Sequence, residues 1–174
     1  MSFMAAGTNS IETLTLRAAH ADDEAAVIAL WRACGLVVSW NDPVADFRRA
    51  LGRGNSDILI AADPAGTIVG AAMVGHDGHR GWIYYLATDP NRRRRGIGRK
   101  LVEAAQAWLS ERGIPKLQLM IRETNVEVIR FYERIGFENA PRVIMQKPRE
   151  TEDSPCCSPP VFSRIISSSA MPPR

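Results

Sequence analysis

The spacing of apolar positions changes repeatedly along the chain, and each change marks an element. Over residues 11–18 apolar and polar residues alternate, with Leu14 and Leu16 on one face, which predicts a strand. Asp22 then stands as the cap of a helix carrying Ala26, Ile28, Leu30 and Trp31. Trp40-Asn41-Asp42-Pro43 closes into a second helix, with Asp42 at the N-cap, Pro43 in the first turn, and Phe47 and Leu51 inward. Residues 58–62 and 67–74 are β-rich and flank Asp63-Pro64-Ala65-Gly66, a sequence suited to a hairpin turn. After a second turn at residues 76–79, residues 82–88 form an aromatic and β-branched run that predicts a third antiparallel strand.

From Ile97 the residues Leu101, Ala104, Ala105 and Trp108 fall at helical spacing, and Arg112-Gly113 supplies a cationic last turn and a glycine stop. Leu117, Leu119 and Ile121 alternate with polar neighbours as a strand would, Asn125 opens a short helix ending at Gly136, and residues 137–147 read as a closing strand. The order β-α-α-β-β-β-α-β-α-β predicts an α/β (α+β) domain, a mixed central sheet with helices on its faces. No internal repeat interrupts it.

Composition narrows the class. At 174 residues, 45% hydrophobic and 24% charged, the chain has enough material for one domain with a proper core. No apolar run reaches the roughly 20 residues of a membrane span, and residues 1–10 lack a signal-peptide pattern, so a cytoplasmic, reducing setting is expected. Cys34 stands alone and Cys156 and Cys157 are neighbours, which gives no metal spacing and no disulfide framework. Residues 148–174 hold six Pro and six Ser and are expected to be a disordered tail, although Val161, Phe162, Ile165 and Ile166 offer it an apolar docking patch. The expected domain therefore covers residues 11–147, after a flexible N-terminus of ten residues.

One segment concentrates charge. Between the strand ending at Thr88 and the helix from Gly96, four arginines, Arg92 to Arg95, precede Gly96-Ile97-Gly98. A glycine-bearing loop that runs into a helix presents unpaired N–H groups and the positive end of the helix dipole, which suits a pyrophosphate. Arginines beside it add bidentate donors. The bland reading is a solvated basic patch. A nucleic-acid reading lacks supporting aromatics or a second basic stripe, and the net charge of +3 is small.

The second motif is N-x(5)-F-Y-x(3)-G-F, from Asn125 to Phe137. Together with R-x-x-G-x-G after a strand, it resembles the GNAT acyl-CoA N-acyltransferases over nearly all of residues 14–147. W-N-D-P at residues 40–43 and D-G-H-R-G at residues 77–81 are similar to the YpeA-type subgroup. The resemblance implies that the strands around Leu86 and Leu119 splay apart and that acetyl-CoA, the co-substrate, lies between them, with no metal. The pantetheine arm would pair with the main chain of Leu86, Ala87 and Thr88, and the pyrophosphate would meet Arg93, Arg94, Arg95, Gly96, Ile97, Gly98 and Arg99. Asn125 and Tyr132 match positions facing the cofactor; without the family they would read as a helix cap and a core aromatic.

The implied reaction is direct attack of an amine, from a small metabolite or a protein, on the thioester. The oxyanion would be held by an N–H near Leu86 or Ala87, and Tyr132 would protonate the departing thiolate. The general base has no obvious residue: Trp82 or Tyr84 stands where some members carry Glu or His, and Met120 stands where protein N-terminal acetyltransferases have Glu. Asp42, Asp77, His79 and Glu123 are the candidates left. Trp40, Asn41 and Asp42 would wall the acceptor site, with Tyr84 facing it, although Asp42 is equally suited to capping a helix. Two departures stand out, Arg92 where the family often has an aromatic and Arg94 where it often has glycine. Family precedent implies a monomer or homodimer, with neither nucleic acid nor membrane as partner. A non-catalytic acyl-CoA-binding module of the same fold is the alternative.

Overall fold

The computed structural model describes residues 13–145 and residue 147. The start of the expected first strand, the N-terminal ten residues, Cys156 and Cys157, and the tail of residues 148–174 with its apolar patch lie outside the described residues.

Five strands form one sheet in sequence order: β1 (Thr15–Ala18), β2 (Ser56–Ala62), β3 (Ile68–His76), β4 (Gly81–Thr88) and β5 (Leu117–Gln118). The first three junctions are antiparallel and β4–β5 is parallel. Four helices accompany them: α1 (Glu24–Ala33), α2 (Pro43–Ala50), α3 (Ile97–Ser110) and α4 (Val126–Arg134).

The period of two along the strands sends alternate residues into two separate cores. On one face Ile58, Ile60, Ala71 and Ala87 pack with Val27, Ile28, Leu30 and Trp31 of α1 and Phe47 of α2. On the other, Leu59, Ala61, Val69, Val74 and Ile83 pack under Ile97, Leu101, Ala105 and Leu109 of α3 and Tyr132 of α4. α3 lies directly on the sheet because β3 offers it no side chain at Gly70. A Cβ there would sit 2.7 Å from the Ile97 Cγ2 and 2.9 Å from the Leu101 Cδ1.

Local chemistry explains the helix ends. Asp42 Oδ1 accepts from the Val44 and Ala45 amides at 2.9 and 3.2 Å, with Pro43 in the first turn. At the end of α3, the Arg112 guanidinium donates to the Trp108 carbonyl at 2.8 Å and lies 3.7 Å above its ring, and Gly113 follows with φ +69°. The first helix departs from expectation. A turn of 3-10 helix (Ala21–Asp23) precedes α1, and Asp23 rather than Asp22 organises the entry. Its carboxylate accepts from the His20 amide at 2.7 Å and from Arg17 at 2.7 and 3.0 Å. The buried stripe of α1 accordingly includes Val27, and Ala26 is exposed.

Two strand expectations are corrected. Residues 119–121 continue from β5 without a ladder partner, so β5 is two residues long. Residues 137–145 contain no strand. A two-residue β5 supplies too short a ladder to template a neighbour, and Pro141 lacks an N–H to donate to one. The chain divides by its contacts into residues 1–138, which hold every element named above, and residues 139–174.

Candidate active site

β4 and β5 pair only at Gly81–Leu117 and Trp82–Gln118. Beyond that point β4 runs on for six residues, to Thr88, with no strand on this side among the described residues. Its other edge is irregular. β3 pairs with Tyr84 through Met73 and with Ala87 through Ala71, so Tyr85 and Leu86 on β4 face the single residue Ala72. This is a β-bulge, and Tyr85 takes the left-handed region at φ +50°. The consequence is that Leu86 turns to the α3 core while Tyr84 and Tyr85, although consecutive, both serve the α1–α2 face.

Tyr85 was not legible as a site residue, since nothing in an alternating pattern signals an extra residue. Its ring stacks on Trp31, with centroids 4.4 Å apart. Its hydroxyl donates to Asp46 Oδ2 at 2.9 Å and accepts from Asn41 Nδ2 at 2.9 Å. Burial raises its pKa, as does the Asp46 carboxylate, against an opposing effect of Asn41. The chain Asn41–Tyr85–Asp46 thus ties the loop between α1 and α2 to the bulge, next to Trp40, which is 69% exposed.

Past Thr88, Asp89 caps a 3-10 turn (Pro90–Arg92) and Arg93 is extended. Arg94 lies at φ +63° and Gly96 at φ +81° as the N-cap of α3. Two left-handed residues in a tight turn that enters a helix N-terminus form a concavity whose amides suit an anion. Gly98 serves a different need. A Cβ there would lie 3.3 Å from the Phe131 Cζ and 3.6 Å from the Thr88 hydroxyl, so the residue lets α4 close against the loop.

The arginine where the family often has glycine is therefore held in a conformation costing about 1–2 kcal/mol for a residue with a Cβ. Arg94→Gly is expected to match or raise stability, by up to about 1 kcal/mol after glycine's greater unfolded-state entropy is subtracted. Arg94→Val should lower it by about 1–2 kcal/mol, since a branched side chain is worst in that region. Urea melts of the two variants check the sign.

The arginines divide by role. Arg92 is structural: it donates to Asp63 Oδ2 at 2.8 Å and lies 3.8 Å from Asp89, pinning the loop to the β2–β3 turn. Asp63 is buried and holds that turn by accepting from the Ala65 and Thr67 amides at 3.0 and 2.9 Å, which with Arg92 lowers its pKa. Arg93, Arg94 and Arg95 are exposed around the concavity. Arg99 lines a groove of about 230 Å³ between α3 and α4 with Arg134, Glu103 and Gln106.

On α4, Asn125 is the N-cap residue but its side chain makes no capping hydrogen bond, which leaves the exposed amide available to a ligand. Tyr132 is buried, edge-on to Phe131 and Phe137 at 5.0 and 5.2 Å, and its hydroxyl has no hydrogen-bond partner among the described residues. Burial pushes its pKa well above the usual phenol range.

The candidate bases fare differently. Asp77 Oδ1 accepts from the Arg80 and His79 amides at 2.6 and 2.8 Å, and these bonds pull its pKa down to about 2. Such a carboxylate is a turn residue and a poor proton acceptor at neutral pH. Its folded pKa lies below the unfolded value, so its contribution to stability is present above pH 4 and lost as pH falls toward 2. Asp77→Asn is expected to flatten that acid limb in denaturant titrations while leaving the pH–rate profile between pH 6 and 9 unchanged. His79 is exposed, its Nδ1 3.4 Å from the Arg80 guanidinium. Tyr84 has its pKa raised by burial and by Asp77, which keeps the phenol protonated at neutral pH. Glu123 is exposed, without a hydrogen bond or ion pair among the described residues.

Residues 25–137 match the model of the acetyltransferase (GNAT) family. The chain is 41% identical over 134 residues to an acetyltransferase of Pectobacterium atrosepticum, covering 77% of this chain and 94% of that protein. It is 40% identical over 140 residues to an acetyltransferase of Sodalis glossinidius, covering 80% and 98%. Among solved structures it is similar to the aminoglycoside N-acetyltransferase AAC(6')-Iy in complex with CoA, with a TM-score of 0.69 and 20% identity over 79% of this chain and 96% of that one. The chain belongs to the acetyltransferase (GNAT) family. It is an N-acetyltransferase, and its acetyl donor is acetyl-CoA.

The residues around β4 and the start of α3 fit that donor. β4 has an open main-chain edge, the concavity at Arg94 and Gly96 suits a pyrophosphate, and the Asn125 amide is not spent on capping.

Proposed function

We propose that the protein transfers the acetyl group of acetyl-CoA directly to an amine, with both substrates bound together and no covalent enzyme intermediate. The observation that carries this reading is the two-residue β4–β5 ladder, which leaves the main chain from Ile83 to Thr88 open beside the bulge. The pantetheine arm adds to that edge as a strand would. The pyrophosphate sits on the amides of residues 94–98, with Arg93, Arg94 and Arg95 supplying charge. An amide in the bulge, at Leu86 or Ala87, stabilises the oxyanion. Tyr132, protonated at every working pH, donates to the departing thiolate.

No side chain in this reading serves as a dedicated base. Asp77 is held near pKa 2, Asp42 caps α2, Trp82 and Tyr84 are not bases at neutral pH, and His79 and Glu123 lie exposed on loops. The amine therefore reaches its neutral form largely by its own titration. Deprotonating an amine of pKa about 10.4 at pH 7.4 costs roughly 4 kcal/mol, against well under 1 for one of pKa about 7.8. The reading favours amines of lowered pKa, and activity that climbs with pH along the amine's titration.

A thermal melt with acetyl-CoA, GTP or a short DNA duplex tests the donor site. Acetyl-CoA at 100 times its Kd should add about 2.7 kcal/mol, or roughly 5–10 °C in Tm, with no comparable shift from the controls. Thiol release on amine addition then separates an enzyme from an acyl-CoA-binding module. Equal shifts with all three polyanions would reduce the loop to a basic patch.

A further inference from the structure

The face of the sheet that approaches the bulge carries exposed apolar surface where carboxylates would be needed for a polycation. Tyr84 pairs with Met73, whose own partner is Ile58, so Tyr84 stands on the α1–α2 face; Trp82 stands two residues before it on the same face. On β5 and its continuation, Leu117, Leu119 and Ile121 pack on the α3 core, which turns Gln118, the partner of Trp82, and Met120 the other way, Met120 lying past the point where β4 and β5 cease to pair. Tyr84 is 41% exposed and Met120 48%. Trp40 belongs to the same region through its neighbour Asn41, which bonds to Tyr85. Tyr84 and Met120 are thus exposed apolar side chains on the two strands that part at Trp82–Gln118, with Trp40 on the loop tied to Tyr85.

The carboxylates nearby are already engaged. Asp42 caps α2, Asp46 accepts from Tyr85 with one oxygen and pairs with Arg49 through the other, and Asp77 holds its own turn. Glu123 is the one acidic candidate without a partner among the described residues. An aromatic floor whose neighbouring carboxylates are engaged matches a ligand with an apolar body and a single positive charge.

We infer that the acceptor is a monoamine carrying an aromatic or bulky apolar group near the amine, seated on Tyr84 and Met120, and not a polyamine or amino sugar. This rests on the acetyl-transfer reading above for the position of the reacting amine. The site floor is separable from the chemistry because binding is measured without turnover.

Calorimetric titration of the full chain saturated with CoA, using 2-phenylethylamine, ethanolamine and spermidine as probes, tests it. The expected result is 2-phenylethylamine binding at least tenfold tighter than either other amine, in line with what burying a few methylene-sized groups is worth. Tyr84→Ala and Met120→Ala should each lower that preference by about three- to tenfold while keeping the acetyl-CoA melting shift. Tighter binding of spermidine, or a preference that survives in both variants, would overturn the inference. Thiol release with the same amines judges the transfer reading separately: preference without release removes the chemistry and keeps the floor, and release without preference does the reverse.

Discussion

Tyr132→Phe is expected to lower kcat by about 10²–10⁴-fold, the range that a positioned proton donor contributes, while the KM for acetyl-CoA stays within about twofold. The structure makes this substitution unusually clean. The ring is held edge-on by Phe131 and Phe137, contacts that phenylalanine keeps, and the hydroxyl has no protein partner among the described residues to lose. Stability should accordingly change by less than about 1 kcal/mol, because deleting a hydroxyl without a protein partner leaves no protein group newly unsatisfied. Since burial raises the Tyr132 pKa, the wild-type rate should show no alkaline decline through pH 9 from loss of this proton. Steady-state thiol release and a melt of the variant with acetyl-CoA check both halves. Wild-type kcat in the variant would remove Tyr132 from the proton transfer.

Trp31→Ala should produce the largest loss of stability, about 3–5 kcal/mol, the usual cost of emptying a fully buried tryptophan site. Trp31 has no exposed surface, stacks on Tyr85 and tilts against Phe47 at 6.2 Å. Such a loss is a large part of the roughly 5–15 kcal/mol that holds a domain together, and corresponds to a Tm roughly 10–20 °C lower. The protein that remains folded should also turn over more slowly, because Tyr85 loses the surface that fixes the bulge. Trp31→Phe should recover most of both. Urea melts and thiol release below the melting transition measure the two effects, and a loss under 1.5 kcal/mol would show that the site collapses to fill itself.

Elements whose cause is local were legible in the sequence. The β2–β3 turn follows from Asp63-Pro64-Ala65-Gly66, the start of α2 from Asp42-Pro43, and the stop of α3 from Arg112-Gly113, and each is formed as those residues dictate. Features set by pairing were not. The alternation at Leu117, Leu119 and Ile121 reports which side faces a core and says nothing of whether a neighbouring strand is in reach, so β5 was read too long and a further strand was expected at residues 137–147. Of the candidate site, the loop at residues 93–98 and the residues Asn125 and Tyr132 were named from motifs. Tyr85 could not, since its position depends on a bulge, and the commitment of Asp77 to its own turn is a matter of hydrogen bonds that spacing does not record. The charge at Arg92 was visible, but not that Asp63, 29 residues away, absorbs it.

The open edge of β4 separates two kinds of recognition. In the proposed reading the donor is gripped by peptide groups, atoms that every residue carries, so the exposed side chains along that strand can vary without loosening the hold on acetyl-CoA. On that reading, exchanging Trp82 or Tyr84 would admit other amines, while the loop and the strand edge would continue to present the same activated acetyl group. A fold arranged in this way changes its customers without changing its currency.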